Sequence, residues 1–251
     1  MCFDHDSAPP IPALAGASVD HADLVLTSAD GTDFAAFLAT PGEPGTTGVV
    51  VLPDVRGLYR FYEELALRFA ERDFPAIAID YFGRTAGVAK RGEDFDYMPH
   101  VSQTQTALIQ ADVTAAAERL RADGATAIFT VGFCFGGRHA WLSASEVDGL
   151  AGAVGFYGMP GPMPFGGGPD PMERVDAVRA PLLGLMGGAD AHITADIVDA
   201  YDRALAEAGA EHELVTYAGA PHSFFDRKHE EFAADSEDAW RRVLAFIARH
   251  A

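Results

Sequence analysis

The segment GFCFGG at residues 132–137 constrains the fold of this chain more than any other feature. It follows the apolar run 127–131, which is typical of a buried strand, and it leads directly into a helical pattern. A strand that turns at once into a helix holds the residue at the turn, Cys134, in a strained backbone conformation. The residues two before and two after it must then be very small, and both Gly132 and Gly136 are glycine. This pattern is typical of a nucleophile elbow in an α/β fold.

A cysteine at such a turn has two interpretations. Single cysteines are often inert core residues, and the short glycine motif does not decide the matter by itself. A thiol can also act as a nucleophile, because it is partly ionised near neutral pH and is intrinsically reactive. The residues further along the chain favour catalysis by Cys134. In this kind of fold an acid follows a later strand and a histidine follows the last strand.

The candidate acid is Asp190, at the end of the run PLLGLMGGAD. The apolar part of this run predicts a buried strand, and the glycine turn brings the carboxylate to the strand's carboxyl end. The alternative is that Asp190 forms a turn or caps the helix that starts near Asp196. Its position at a strand end favours catalysis, whereas Asp196 and Asp199 are interpreted as stabilising charges at the start of that helix.

The candidate base is His222, which follows a short strand and precedes the final helix. His192 is a rival because it lies two residues beyond Asp190, but that spacing turns the two side chains apart in most loop geometries. The predicted catalytic residues are therefore Cys134, Asp190 and His222, in that order along the chain.

Alternating strand and helix patterns predict the rest of the fold. The predicted strands are an opening hairpin at 24–27 and 34–39, followed by strands at 49–52, 76–79, 127–131 and 152–157 and by the buried strand within the run 181–190. Apolar residues three and four positions apart predict helices between them. This alternation is typical of an α/β protein with a mostly parallel central sheet.

Together these features resemble the dienelactone hydrolase family, which includes carboxymethylenebutenolidase. The resemblance covers nearly the whole chain and rests on these segments: LPDVRGL at 52–58, DYFGR at 80–84, the cysteine elbow, GGAD at 187–190 and PHSF at 221–224. It implies an α/β-hydrolase fold with helices on both faces of the sheet. It also implies hydrolysis of a carboxylic ester or lactone of a small molecule through a thioester intermediate.

In such an enzyme His222 takes the proton of the thiol, and Asp190 orients the imidazole and stabilises its charged form. The oxyanion that forms needs two backbone N–H donors. One is expected from Phe135, the residue after the nucleophile, and the other from Val55, in the loop after the third strand.

The resemblance also implies roles in binding the substrate or gating the thiol. Asp54 matches a family glutamate that accepts a hydrogen bond from the resting thiol, although an Asx-type turn explains it nearly as well. Arg84 matches an arginine that binds the substrate carboxylate. The family's second such arginine falls at Asp226 here, with Arg227 one residue later. Arg56 could compensate from the opposite loop.

The stretch 158–171 is rich in Gly, Pro and Met and leaves a strand at the end of the sheet where the candidate residues lie. Long loops of this kind are usually binding elements or disordered. We expect Met159 and Phe165 to help form a substrate pocket, the alternative being a surface connection. The segment 82–100 is a second candidate wall.

The chain has 251 residues, of which 49% are hydrophobic, enough for one well-buried domain. We expect an extended N-terminal arm over 1–20 and a single domain over 21–251. Two cysteines leave no disulfide framework, and no secretory signal or membrane-length apolar run is visible, which predicts a cytoplasmic protein. Nothing in the sequence demands more than a monomer or a weak homo-oligomer.

The formal net charge of −19 argues against binding to nucleic acid and to anionic membranes. No histidines have metal-ligand spacing, and the run DHD at 4–6 is a weak signal, so neither a metal nor another cofactor is expected. The expected partner is a small ester or lactone. The alternatives are a catalytically silent protein that binds a small carboxylic acid and, less favoured, a redox protein using Cys134.

Overall fold

Within the residues that the structure describes, eight strands form one sheet. They are β1 (Val19–Thr27), β2 (Asp33–Pro41), β3 (Thr47–Leu52), β4 (Ala76–Ile79), β5 (Ala127–Phe133), β6 (Gly152–Phe156), β7 (Leu182–Gly187) and β8 (His212–Tyr217). The structure is a computed structural model and describes residues 7–43, 45–226 and 230–251. The order across the sheet is β1-β2-β4-β3-β5-β6-β7-β8. Strand β2 is antiparallel to both of its neighbours, and every other adjacent pair is parallel.

Helices cover both faces of this sheet. They are α1 (Arg60–Ala70), α2 (Gly83–Ala86), α3 (Met98–Val101), α4 (Thr106–Ala122), α5 (Phe135–Glu146), α6 (Ala195–Glu207) and α7 (Ala233–His250), with a 3₁₀ helix at Met172–Ala177. Helices α1 and α7 share one apolar cluster, whereas α4, α5 and α6 contribute to two others. The predicted α/β-hydrolase fold, with a mostly parallel sheet and helices on both faces, is confirmed. None of the helices within the described residues is both long and apolar enough to span a bilayer.

Strand β3 shows why the sheet lies at the centre of the core. Its side chains alternate between the two faces, as in any strand. Val49 and Val51 belong to the cluster under α1 and α7, and Val50 and Leu52 belong to the cluster under α4. A strand buried on both faces has no polar positions, and this explains the continuous apolar run that predicted it.

The opening hairpin is longer than the sequence pattern predicts. It pairs Val19 with Pro41 at one end and Thr27 with Asp33 at the other. Most of β1 is exposed, and its first residues, 19–23, therefore lack the alternating apolar pattern on which the prediction depended. Residues 7–18, in the predicted arm, have no regular secondary structure, but Ile11 is buried in the cluster under α1.

The parallel direction of β5, β7 and β8 brings their carboxyl ends to one edge of the sheet. Cys134 follows β5 directly, Asp190 follows β7 by three residues, and His222 follows β8 by five. The fold therefore places the three predicted catalytic residues on the same edge, on three different loops.

Candidate active site

Cys134 lies at a tight turn between β5 and α5, with φ 54° and ψ −112°. Such a positive φ is uncommon outside glycine and indicates a strained backbone. The first turn of α5 packs closely on the end of β3, since a Cβ on Gly136 would lie 2.1 Å from the carbonyl oxygen of Leu52. The backbone N–H of Cys134 donates to the carbonyl of Phe156, at 3.0 Å. The thiol is half-buried at this turn.

His222 and Asp190 form a hydrogen-bonded pair. Nδ1 of His222 lies 2.6 Å from Oδ2 of Asp190. The other carboxylate oxygen accepts backbone N–H groups from His192 at 2.8 Å and Ile193 at 3.1 Å. Burial by itself would raise the pKa of Asp190, but these hydrogen bonds and the nearby imidazole lower it below its ordinary value. Since an ionised carboxylate can only accept, Nδ1–H of His222 is the donor, and the lone pair of the neutral ring lies on Nε2.

The structure separates the rival histidines from this pair. His192 contacts Asp190 only through its backbone N–H, and its side chain is exposed. His139 is buried in α5, where its ring lies edge-on to Phe135 at 4.5 Å. Burial, reinforced by the charge of Arg138, lowers the pKa of His139 to about 3, so its imidazole is neutral at physiological pH.

The thiol and the imidazole are not hydrogen-bonded to each other. Sγ of Cys134 makes no hydrogen bond to any residue in the described ranges. Catalytic hydrogen bonds are often long in a protein without substrate and shorten when substrate binds. The structure therefore joins His222 to Asp190 directly, whereas Cys134 is held through its backbone.

The two expected oxyanion donors flank the elbow. Phe135 is the first residue of α5, where helical N–H groups have no acceptor within the helix. Val55 lies three residues beyond β3, in the loop whose Pro53 carbonyl packs against Gly136. Within the described part of the chain no acceptor pairs with the Val55 N–H. The assignment of these two N–H groups as oxyanion donors stays a prediction.

The Asp54 carboxylate is bonded to Arg56 and makes no hydrogen bond to the thiol of Cys134. Its carboxylate is fully buried and lies across the guanidinium of Arg56, with Nη2 at 2.9 Å from Oδ2. The backbone N–H of Arg56 also donates to Oδ1 at 2.9 Å, which is the Asx-type turn that the sequence left open. The Asp54 carboxylate would therefore have to give up part of this pair to contact the thiol.

Arg84 lies in an ion network that reaches from the buried Asp112 to the exposed Asp30. It contacts Asp112 through Nη1 at 2.7 Å and Asp30 through Nε at 2.8 Å, and Nη2 also donates to Ser28 at 3.0 Å. All three of its nitrogens are thus bonded to protein groups. These partners come from distant parts of the sequence, and none of them is a candidate catalytic residue.

The loop 158–171 packs against the elbow helix rather than lying free on the surface. Phe165 approaches Phe135 with ring centroids 6.2 Å apart. Gly167 forms a parallel bridge with Gln105, in which its N–H donates to Thr104 and its carbonyl accepts from Thr106. A narrow crevice lined by Thr104, Phe135 and Phe165 lies between these segments and α5. Phe165 therefore lies beside one expected oxyanion donor.

Asp226, where the family has its second arginine, is also part of this region. It is fully buried, and Oη of Tyr157 donates to its Oδ2 at 2.8 Å. The ring of Tyr157 in turn lies 4.9 Å from the ring of His222. Arg227 lies outside the described residues, so its predicted role is not addressed by this geometry.

The sequence did not predict a buried ion pair that joins the segment 82–100 to the end of β4. Nη2 of Arg91 lies 2.7 Å from Oδ2 of Asp80, and both side chains are almost fully buried. Asp80 also accepts the backbone N–H groups of Leu58 and Phe82, and so ties the end of β4 to two loops. Asp80 lies within a segment that carried the family resemblance, but no local pattern pointed to Arg91.

Within residues 7–43, 45–226 and 230–251, no three His, Cys, Asp or Glu side chains are grouped to hold an ion. The weak cluster at 4–6 lies outside those ranges.

Comparison with known proteins gives a consistent result. A model of the dienelactone hydrolase family matches residues 34–251. A carboxymethylenebutenolidase from Rhodococcus opacus is 29% identical over 257 residues, covering 100% of this chain and 97% of that protein. A protein from Saccharolobus solfataricus, assigned as a carboxymethylenebutenolidase, is 28% identical and covers 90% of this chain and 97% of its own.

Among solved structures, a protein from Klebsiella pneumoniae assigned as a dienelactone hydrolase superposes with a TM-score of 0.81. It is 28% identical and covers 92% of this chain and 99% of its own. The family match spans most of the chain, including both halves of the sheet and the loops that carry Cys134, Asp190 and His222. The chain therefore belongs to the dienelactone hydrolase family.

Proposed function

We propose that this protein hydrolyses a carboxylic ester or lactone of a small molecule, with Cys134 as nucleophile, His222 as base and Asp190 as the residue that orients the base. The observation that carries the proposal is the hydrogen bond of 2.6 Å between His222 and a buried carboxylate, on the sheet edge where Cys134 sits at a strained elbow. Membership of a hydrolase family supports the reaction class.

In the first step Nε2 of His222 takes the thiol proton while Sγ attacks the carbonyl carbon of the substrate. A carbon–sulfur bond forms, and the carbonyl electrons move onto oxygen. When this intermediate collapses, the carbon–oxygen bond to the alcohol or enol breaks. The leaving oxygen takes the proton from His222, and a thioester remains on Cys134.

In the second step the neutral His222 takes a proton from water, whose oxygen attacks the thioester. The carbon–sulfur bond then breaks, the acid leaves, and the proton returns to the thiolate. Both intermediates place a negative charge on the former carbonyl oxygen. We assign the N–H groups of Val55 and Phe135 to that charge, because preorganised backbone donors stabilise it without reorganisation.

For substrate recognition we propose that Phe165 forms one wall of the pocket, since it lies beside Phe135 on a loop fastened at Gly167. A role for Asp54 in gating the thiol would require its carboxylate to leave Arg56. A role for Arg84 in binding a substrate carboxylate would require it to release Asp30 or Asp112. Arg56 and Arg227 remain proposed contributors to the same charge recognition.

The test is hydrolysis of an activated aryl acetate, a neutral lactone and a carboxylated enol lactone by three proteins: wild type, Cys134→Ala and Cys2→Ala. The second cysteine variant is the matched control, because it removes the chain's other thiol. We expect turnover by wild type and Cys2→Ala, none by Cys134→Ala, and an acyl adduct on residue 134 by mass spectrometry.

An acyl adduct on the Cys134→Ala protein would reject Cys134 as the nucleophile. Absence of turnover by folded wild type with all three substrates would favour the alternative, a catalytically silent protein that binds a small carboxylic acid. Calorimetric titration with small carboxylates would then test that alternative directly.

A further inference from the structure

Tyr157 follows β6 and lies among the elements that carry the three proposed catalytic residues. Its backbone N–H donates at 2.9 Å to the carbonyl of Leu185 in β7, the strand that leads to the proposed acid. The residue before it, Phe156, accepts the N–H of Cys134 at 3.0 Å. Its ring lies 4.9 Å from the ring of His222, inclined at 55°. One short stretch of chain thus contacts the nucleophile's backbone and the base's side chain.

The far end of the Tyr157 side chain is fixed as well. Its Oη donates to Oδ2 of Asp226 at 2.8 Å, and both residues are fully buried. Asp226 lies four residues after His222, and its own N–H donates to the carbonyl of Ser223. A hydrogen bond from a hydroxyl to a buried carboxylate is stronger than one between neutral groups. Tyr157 therefore connects β6 to the loop that carries the histidine.

The backbone at Tyr157 is unusual, with φ 39°. A bulky residue in this left-handed region is strained, and such conformations persist only where the surroundings hold them in place. Here the bond to Leu185 holds the backbone and the bond to Asp226 holds the side chain. The ring is consequently presented to the imidazole from a fixed direction.

We propose that Tyr157 is a positioning residue for His222, held in place by Asp226. The hydrogen bond to Asp190 fixes one edge of the imidazole. Contact with the Tyr157 ring adds a restraint on rotation of the imidazole about that bond. Because no hydrogen bond joins the thiol to the imidazole within the described residues, their spacing depends on such supporting contacts. This inference rests on the proposed function.

Tyr157→Phe tests the proposal, because it keeps the ring and removes only Oη. We expect kcat to fall by about tenfold with KM unchanged, since the geometry of proton transfer is disturbed and substrate binding is not. Tyr217→Phe is the matched control. Tyr217 also donates Oη to an aspartate, Asp238, at 3.0 Å, and its ring packs on Phe224 rather than on His222. An unchanged kcat in folded Tyr157→Phe would overturn the proposal.

A double-mutant cycle examines the Tyr157–Asp226 hydrogen bond. If the two residues act through this one bond, the loss of kcat in Tyr157→Phe combined with Asp226→Ala will equal the larger single loss. Losses that multiply would reject the link between them. Thermal unfolding of each variant establishes that it is folded, and Tyr157→Phe remains informative if Asp226→Ala is not.

A measurement without substrate separates this inference from the proposed function. In a Cys2→Ala background we expect iodoacetamide to alkylate Cys134 more slowly in Tyr157→Phe than in wild type, because His222 assists thiolate formation. If wild type hydrolyses no ester but the alkylation rates differ, the hydrolase proposal fails and the positioning role stands. Equal alkylation rates in folded proteins would reject the positioning role.

Discussion

Gly132 and Gly136 meet across the elbow at a distance that leaves no room for a side chain on the first of them. A Cβ on Gly132 would lie 2.0 Å from the carbonyl oxygen of Gly136 and 2.4 Å from its carbonyl carbon. Both atoms belong to the backbone, so they cannot move aside as the end of a flexible side chain could. Because Cys134 lies between the two glycines, the close packing of their backbones also fixes the position of the thiol.

Gly132→Ala should therefore distort the turn or unfold it. We expect a loss of about 3 kcal/mol in the free energy of unfolding, at the upper end for overpacking, together with loss of esterase activity. The control is Gly92→Ala, because a Cβ there meets no atom within 4 Å. Urea denaturation measures both variants. Wild-type stability in Gly132→Ala would contradict the packing argument.

Asp190→Asn should abolish most of the activity while leaving the fold intact. The amide fits the same space but carries no charge to stabilise the imidazolium, and its NH₂ can favour the wrong tautomer of His222. We expect kcat to fall by about a hundredfold or more with a smaller change in KM. Steady-state kinetics with the aryl acetate provides the measurement.

Asp196→Asn is the matched control for that variant. Asp196 is an exposed carboxylate six residues further on, in the first turn of α6. We expect wild-type kcat and a change in stability of about 0.5 kcal/mol, as for a charge near a helix start. Equal losses of kcat in both variants would remove Asp190 from its proposed role.

The sequence allowed the candidate catalytic residues to be placed because each of them depends on local signals. Cys134 follows from glycines on either side of a strand–helix turn, and Asp190 and His222 each follow a recognisable strand. The rule that parallel strands end on the same edge then brings all three loops together. The hydrogen bond between His222 and Asp190 agrees with that reasoning, although their roles in catalysis stay predictions.

The partners of the arginines could not be predicted in the same way. Arg84 meets Asp30 and Asp112, which are 54 and 28 residues away in sequence, because β2 inserts between β1 and β4. Arg91 meets Asp80 across a loop without regular pattern. Pairings of this kind depend on the order of strands in the sheet and on loop paths, neither of which is encoded by a short motif.

Arg84→Met should reduce stability rather than select against one substrate. Asp112 is fully buried, and burial raises the pKa of its carboxyl even though the Arg84 hydrogen bonds lower it. Removing the arginine leaves this carboxylate without its cation, at a cost of about 3 kcal/mol in the free energy of unfolding. Urea denaturation tests this, and Arg84→Met with Asp112→Asn should recover part of the loss.

Two comparisons make the Arg84 experiment decisive. Arg119→Met breaks an exposed pair with Asp123 and should cost less than about 1 kcal/mol. KM for the carboxylated and the neutral lactone should change together in Arg84→Met. A selective rise in KM for the carboxylated lactone would instead support the role of Arg84 as a substrate anchor.

His139 should make the protein less stable in mild acid. Burial, aided by Arg138, lowers the pKa of its imidazole from 6.5 to about 3 in the folded protein. Between these values the unfolded chain binds a proton that the folded protein does not. The stability contributed by the neutral ring is therefore fully present above pH 6.5 and is lost as the pH falls toward 3, by about 1.4 kcal/mol per pH unit.

His139→Gln removes this titration and leaves every other group in place. The difference in unfolding free energy between wild type and the variant should therefore be constant above pH 6.5 and shift in favour of the variant below it. Urea denaturation across this range measures the difference, and a constant value throughout would show that His139 is protonated as readily in the folded protein as in the unfolded chain.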